Sequence, residues 1–123
     1  MKLDLDGLSY KVSEIIDELE KTKNIPDISK LVEEILELMK NRNEYFYQFT
    51  HGGARTGFMG NSAFLINTCN KILSLIKIDA KEDVILENKD NIIQHAKIML
   101  KTIEGNSHFR VINPMALPFY KPP

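Results

Sequence analysis

The chain has 123 residues, 43% of them hydrophobic and 27% charged, with a formal net charge of −1. That length predicts one domain around one core, and the composition is too apolar for a disordered chain. The near-zero charge excludes whole-surface attraction to nucleic acid or anionic lipid, and a single cysteine, Cys69, excludes a disulfide framework or a thiolate metal cluster.

The opening MKLDLDGLSY lacks the apolar core of a signal peptide. No apolar run approaches the ~20 residues of a membrane span, so a cytoplasmic protein is expected. Lysine, isoleucine and asparagine are abundant and tryptophan is absent, a bias that suits an AT-rich coding source such as low-GC bacteria and their phages.

The first predicted helix covers about residues 8–23, with Leu8, Val12, Ile15, Ile16 and Leu19 at helical spacing. Asn24-Ile25-Pro26-Asp27 breaks it, and Pro26 and Asp27 suit the first turn of the next helix. That second helix is predicted over about 27–49, on the stripe Ile28, Leu31, Val32, Ile35, Leu38, Met39, Tyr45, Phe46 and Phe49. Arg42 interrupts the stripe. It is either a snorkelling side chain, a partner of a glutamate such as Glu14 or Glu18, or part of a site.

Residues 51–62 contain Gly52, Gly53, Gly57 and Gly60, four of the six glycines, and are predicted as an interhelical loop. Asn61 or Ser62 then caps a third helix over about 62–78, with Leu65, Cys69, Ile72, Leu73 and Ile76 on its stripe. Asp79-Ala80-Lys81-Glu82 has capping-box spacing. Segment 80–104 is predicted as one kinked helix, or as two broken around Glu87–Asn91, ended by Gly105. His108–Ile112 is predicted as a short strand. Residues 113–123 form a predicted extended tail with four prolines, and its Leu117, Phe119 and Tyr120 are expected to be partly buried. The expected fold is all-α: a four- or five-helix bundle over 1–112 with a Gly-rich interhelical loop and a Pro-rich tail over 113–123.

The glycine-rich segment is the first candidate for chemistry. Glycines let backbone N–H groups converge on an anion, and a helix N-terminus directly after them adds a positive end. Arg55 supplies a fork for a phosphate, and His51 a further donor. Arg42, Gly52, Gly53, Gly57, Asn61 and Ser62 complete the expected ligand-binding set. The alternative is a plain connector with glycines at a cap and a turn. His51, His95 and His108 have no zinc-site spacing, so neither a metal nor another cofactor is expected.

Two local resemblances bear on activity. The run Asn41-Arg42-Asn43 … Phe49-Thr50-His51-Gly52-Gly53 resembles the arginine–asparagine … histidine–glycine run of HEPN-type and abortive-infection helical domains. Those are helix bundles, often metal-independent ribonucleases, and the resemblance implies roles for Arg42 and His51. Glu33-Glu34-Ile35-Leu36-Glu37 and Glu87-Asn88-Lys89-Asp90 are similar to the acidic runs of MazG-type nucleotide pyrophosphohydrolases, which implies Mg²⁺ held by those carboxylates. On an amphipathic helix, such carboxylates also form an ordinary solvated face.

The expected function is a non-enzymatic binding or regulatory protein, a homo-oligomer that engages a phosphate-bearing ligand or a protein partner through 51–62. A phage or bacterial-defence setting suits its size and composition. The alternatives are a HEPN-like ribonuclease, a Mg²⁺-dependent pyrophosphohydrolase and a purely structural oligomerisation module.

Overall fold

The computed structural model describes residues 3–112, with side chains described as far as Asn106. Among the described residues there are five helices and no strand, so the chain is an all-α bundle. Helix α1 (Leu5–Lys21) starts where the Asp4 carboxylate accepts the Gly7 N–H at 2.7 Å. It buries Leu5, Leu8, Val12, Ile15, Ile16 and Leu19 along one stripe. Each such side chain favours the fold by about 1.5–3 kcal/mol relative to exposure.

Helix α2 (Ile25–Met39) is capped by Asn24, whose Oδ1 accepts the Asp27 N–H at 3.0 Å, with Pro26 in the first turn. The helix predicted over 27–49 divides here. Lys40 and Asn41 close α2 by bonding back to Glu37 and Leu38, the tighter three-residue spacing of a fraying end. The Asn41 carbonyl then accepts from Glu44 and Tyr45 and opens α3 (Arg42–Phe46). Two asparagines in Lys-Asn-Arg-Asn-Glu make this the weakest helix-forming stretch of the pattern. The break still delivers Tyr45 and Phe49 to the core. Both pack on Phe58, with ring centroids 6.3 Å and 5.0 Å away.

Residues 52–62 are not a loop. They are the first turns of α4 (Gly52–Lys77), and the helix predicted to start at Asn61 or Ser62 starts ten residues earlier. His51 is the cap: its Nδ1 accepts the Ala54 N–H at 3.2 Å, and its carbonyl accepts the Arg55 N–H. Four glycines disfavour a helix by about 1 kcal/mol each relative to alanine. The buried stripe Phe58, Ser62, Leu65, Cys69 and Ile72 runs through the glycine segment at helical spacing and offsets that cost. Gly57 faces α5, where an added Cβ would stand 3.3 Å from Thr102 Cγ2.

The predicted capping box at Asp79 is instead a helix C-terminus. Asp79 has a φ of 56°, its N–H bonds the Ile76 carbonyl, and the Ala80 N–H bonds that of Leu75. This is a Schellman turn with an aspartate where glycine is favoured. Helix α5 (Glu82–Ile112) follows as one continuous helix. Gly105 therefore lies inside it rather than ending it, and the backbone of the predicted strand 108–112 is helical. The predicted tail 113–123, with Leu117, Phe119 and Tyr120, lies outside the described residues.

Helices α4 and α5 pack antiparallel against each other, α2 packs on α4, and α1 packs on both α5 and α2. The four long helices thus form a ring around one core, with α3 resting on α4. Among the described residues no helix is long and apolar enough to cross a membrane.

Candidate functional site

The expected ligand set separates into two groups once α4 is a helix. Arg42 points from the start of α3 into α4: Nε donates to Ser62 Oγ, and Nη2 to the Met59 carbonyl at 2.6 Å. Ser62 is fully buried and donates in turn to the same carbonyl at 3.1 Å. Its hydroxyl and that carbonyl, rather than Glu14 or Glu18, are the Arg42 partners. Asn61 spans to α5, where its Nδ2 donates to Thr102 Oγ1 at 2.9 Å. With Gly57 held against Thr102, these residues are structural ties between helices.

His51, Gly52, Gly53 and Arg55 gather at the start of α4. Gly52 and Gly53 are exposed, and a Cβ added at Gly52 would meet nothing within 4 Å. Arg55 Nη2 donates to the Phe49 carbonyl at 2.7 Å, and its guanidinium lies 5.1 Å from the centroid of the Phe46 ring. Its Nε is buried with no hydrogen-bond partner. The His51 cap requires Nδ1 to be unprotonated, since that atom accepts the Ala54 N–H.

Sequence reasoning missed Asn106, which fixes this corner from α5. It is fully buried, and Oδ1 accepts from Thr50 N at 3.1 Å and His51 N at 2.9 Å. Its Nδ2 is buried without a partner. Lys89 was missed too. It is buried, and Nζ donates to the Leu19 carbonyl at 2.8 Å and the Thr22 carbonyl at 2.7 Å, satisfying the C-terminus of α1. A signal existed for both: Lys89 follows Ile85 by four residues and Asn106 follows Ile103 by three, so each is a polar residue on the apolar stripe.

The two residues behind the first enzyme resemblance have structural partners. Arg42 is turned to Ser62 and Met59, whereas His51 caps α4. Glu33, Glu34, Glu37, Glu87 and Asp90 are all exposed. Glu37 pairs with Lys40 at 2.9 Å on the surface of α2. Among the described residues no three His, Cys, Asp or Glu side chains come together as a metal site. Cys69 is fully buried, and burial pushes its thiol up to about 12, which makes it a poor nucleophile. Burial also pushes the Tyr45 phenol up from its ordinary range, with Asn41 beside it pulling the other way and Glu44 adding to the rise. The grooves along α1 are shallow and lined by mixed charges, such as Glu20, Lys89, Asp90 and Lys97 in the one of about 420 Å³.

The outer face of the α4–α5 pair differs from the rest of the surface. Residues 56–70 of α4 contain no charged side chain. Thr56, Gly60, Phe64 and Asn67 are exposed there, Phe64 at 61%. Across the seam, His95 of α5 stacks on Phe64 with centroids 5.8 Å apart, and Ile98, one turn on, is 49% exposed. The charges of this part of α5 lie toward α1: Lys97 bonds Glu20 at 2.8 Å, and Lys101 lines a groove with Ser9, Ser13 and Glu104. Exposed positions of α1 and α2 are by contrast rich in Asp, Glu and Lys.

No protein-family model, no curated protein and no solved structure matches this chain. Among the described residues, fold and surface define an all-α bundle whose α4 carries an uncharged run over 56–70.

Proposed function

We propose that this chain is a non-enzymatic helical interaction module that docks a protein partner through the outer face of α4 and α5. The observation that carries this reading is the uncharged strip centred on Phe64 and Ile98, on a protein whose other helices expose mixed charge. Charge depletion around exposed aromatic and aliphatic side chains is the compositional mark of an interface core. Gly60 strengthens it, because it is exposed and open, with nothing within 4 Å of an added Cβ, and so keeps the surface low beside Phe64. The buried high-pKa thiol of Cys69 and the structural ties made by Arg42 favour binding over catalysis.

Position-selective photocrosslinking in the cell tests this. A photoreactive phenylalanine at position 64 or 98 should capture discrete products, and one at Tyr10, an exposed tyrosine of α1, should not. Capture from position 10 as strong as from 64 and 98 overturns the assignment of the face.

A second reading has its own observation. Exposed Gly52 and Gly53 open a 26-residue helix, with Arg55 one turn inside it, an arrangement suited to a phosphate-bearing anion. Inorganic phosphate or a nucleotide should then raise the melting temperature of the wild type and not of Arg55→Ala. No shift with either ligand ends this reading.

A further inference from the structure

The opening of α4 points to a ligand more specific than a bare anion. His51 takes the Ala54 and Arg55 N–H groups, which leaves those of exposed Gly52 and Gly53 with no acceptor in the helix. Such a helix end is common; the buried donors beside this one are not. Asn106 of α5 is fully buried, and its carboxamide is set against the same end, with Oδ1 accepting from Thr50 N at 3.1 Å and His51 N at 2.9 Å. Its Nδ2 is a buried donor without an acceptor, and so is Nε of Arg55, one turn into the helix. Buried polar groups in native proteins are almost always satisfied, and these two stand at the positive end of a 26-residue helix. Unmatched donors beside a helix dipole suit an oxyanion that accepts from several directions, and phosphate is the one that the arginine fork fits.

Tyr47 extends this corner. Its ring is 76% exposed and meets the Phe46 ring edge-on with centroids 5.1 Å apart, while the Arg55 guanidinium lies 5.1 Å from the Phe46 centroid. Those two steps put an open aromatic face within one nucleotide's length of the Arg55 guanidinium. Resting on the anion reading above, we infer that the corner is a nucleoside monophosphate site: Gly52, Gly53, Arg55 and Asn106 hold the phosphate, and Tyr47 stacks on the base. Stacking on an aromatic ring accepts any base, because every base has a π-face. Gly52 keeps the approach clear, since a Cβ there would meet nothing within 4 Å, whereas a Cβ at Gly53 would come within 3.0 Å of His51 Cε1 and crowd the cap. An oligonucleotide would need a run of cations along its backbone, and Arg55 is the only lysine or arginine in 43–70. A single nucleotide needs no such run.

Isothermal titration calorimetry of the full chain with adenosine monophosphate, inorganic phosphate and adenosine tests this. Adenosine monophosphate should bind, phosphate should bind at least about tenfold more weakly for want of the stacked base, and adenosine should give no measurable binding. Tyr47→Ala should bring adenosine monophosphate down to the affinity of phosphate and leave phosphate itself unchanged. Asn106→Asp keeps the Oδ1 acceptor and replaces the Nδ2 donor with an oxygen, so both anions should bind at least about tenfold more weakly. Arg55→Lys keeps the charge and removes the Nε donor, and should weaken both about fivefold or more, which serves where Asn106→Asp does not fold. Urea unfolding verifies the fold of each variant. Adenosine monophosphate that binds no tighter than phosphate, or that is indifferent to Tyr47→Ala, overturns the nucleotide assignment and leaves the phosphate reading standing. Undiminished anion binding in a folded Asn106→Asp or in Arg55→Lys overturns the placement of the site. No binding of any probe ends both the inference and the phosphate reading.

Discussion

The Lys89 ammonium reaches the Leu19 carbonyl at 2.8 Å, so a side chain of α5 closes the end of α1 seventy residues away in sequence. The same group bonds the Thr22 carbonyl, and the lysine is almost wholly buried. Lys89→Met keeps most of the side-chain volume but strands both carbonyls. Hydrogen bonds from a charged donor contribute about 1.5–3 kcal/mol each, and a stranded buried acceptor costs about 1–3 kcal/mol. The variant should lose at least about 2 kcal/mol in urea unfolding, and a loss within about 0.5 kcal/mol, the range of an ordinary surface change, would show that the carbonyls are satisfied without it.

Asp79 stands at a φ of 56° between α4 and α5. A side chain in that region costs about 1–2 kcal/mol, which glycine avoids. Asp79→Gly should stabilise the protein by roughly 1 kcal/mol after the extra unfolded-state freedom of glycine is deducted. A lower melting temperature for the variant would mean that the aspartate side chain stabilises the turn by more than its strain.

Stability should fall in alkali. The folded Cys69 thiol is pushed up to about 12 from its ordinary 9.0, and Tyr45 is raised from 10.0. Below pH 9 both folded and unfolded thiols hold the proton, and the contribution of burial is fully present. Between pH 9 and 12 the unfolded thiol ionises first, so stability is lost as pH rises. Unfolding measured from pH 8 to 11 should show this decline, and Cys69→Ala and Tyr45→Phe should each flatten it. An unchanged slope in both variants would place its cause elsewhere.

Arg42→Ala should destabilise the fold by about 1.5–3 kcal/mol, because it removes the donors to buried Ser62 and to the Met59 carbonyl. Arg55→Ala should cost less, about 1–2 kcal/mol, through the Phe49 carbonyl and the Phe46 ring. Equal melting temperatures for Arg55→Ala and the wild type would show that Arg55 is held only loosely and is available to a ligand.

The sequence by itself determined the stripes. Leu8–Leu19, Ile28–Met39 and Leu65–Ile72 are helical at their predicted places, because an apolar face repeating every 3–4 residues has one way to leave water. What it misjudged were glycines and polar residues on those same stripes. Gly52, Gly53, Gly57 and Gly60 read locally as a loop, and Gly105 as a terminator, since propensity counts only the backbone's own preference. Tertiary structure decided otherwise. Phe58 packs between Tyr45 and Phe49 and holds the glycine segment helical, while Gly57 lets Thr102 approach. Lys89, Ser62 and Arg42 read as parts of a break, a cap or a ligand site, and Asn106 was given no role. They became internal ties, because Lys89, Asn106 and Arg42 satisfy groups in segments distant in sequence and Ser62 receives the Arg42 guanidinium. The uncharged run from Thr56 to Asn70 was legible in the letters, but only the pairing of α4 with α5 placed it beside Ile98 on one face, since a surface exists only after the helices have chosen their neighbours.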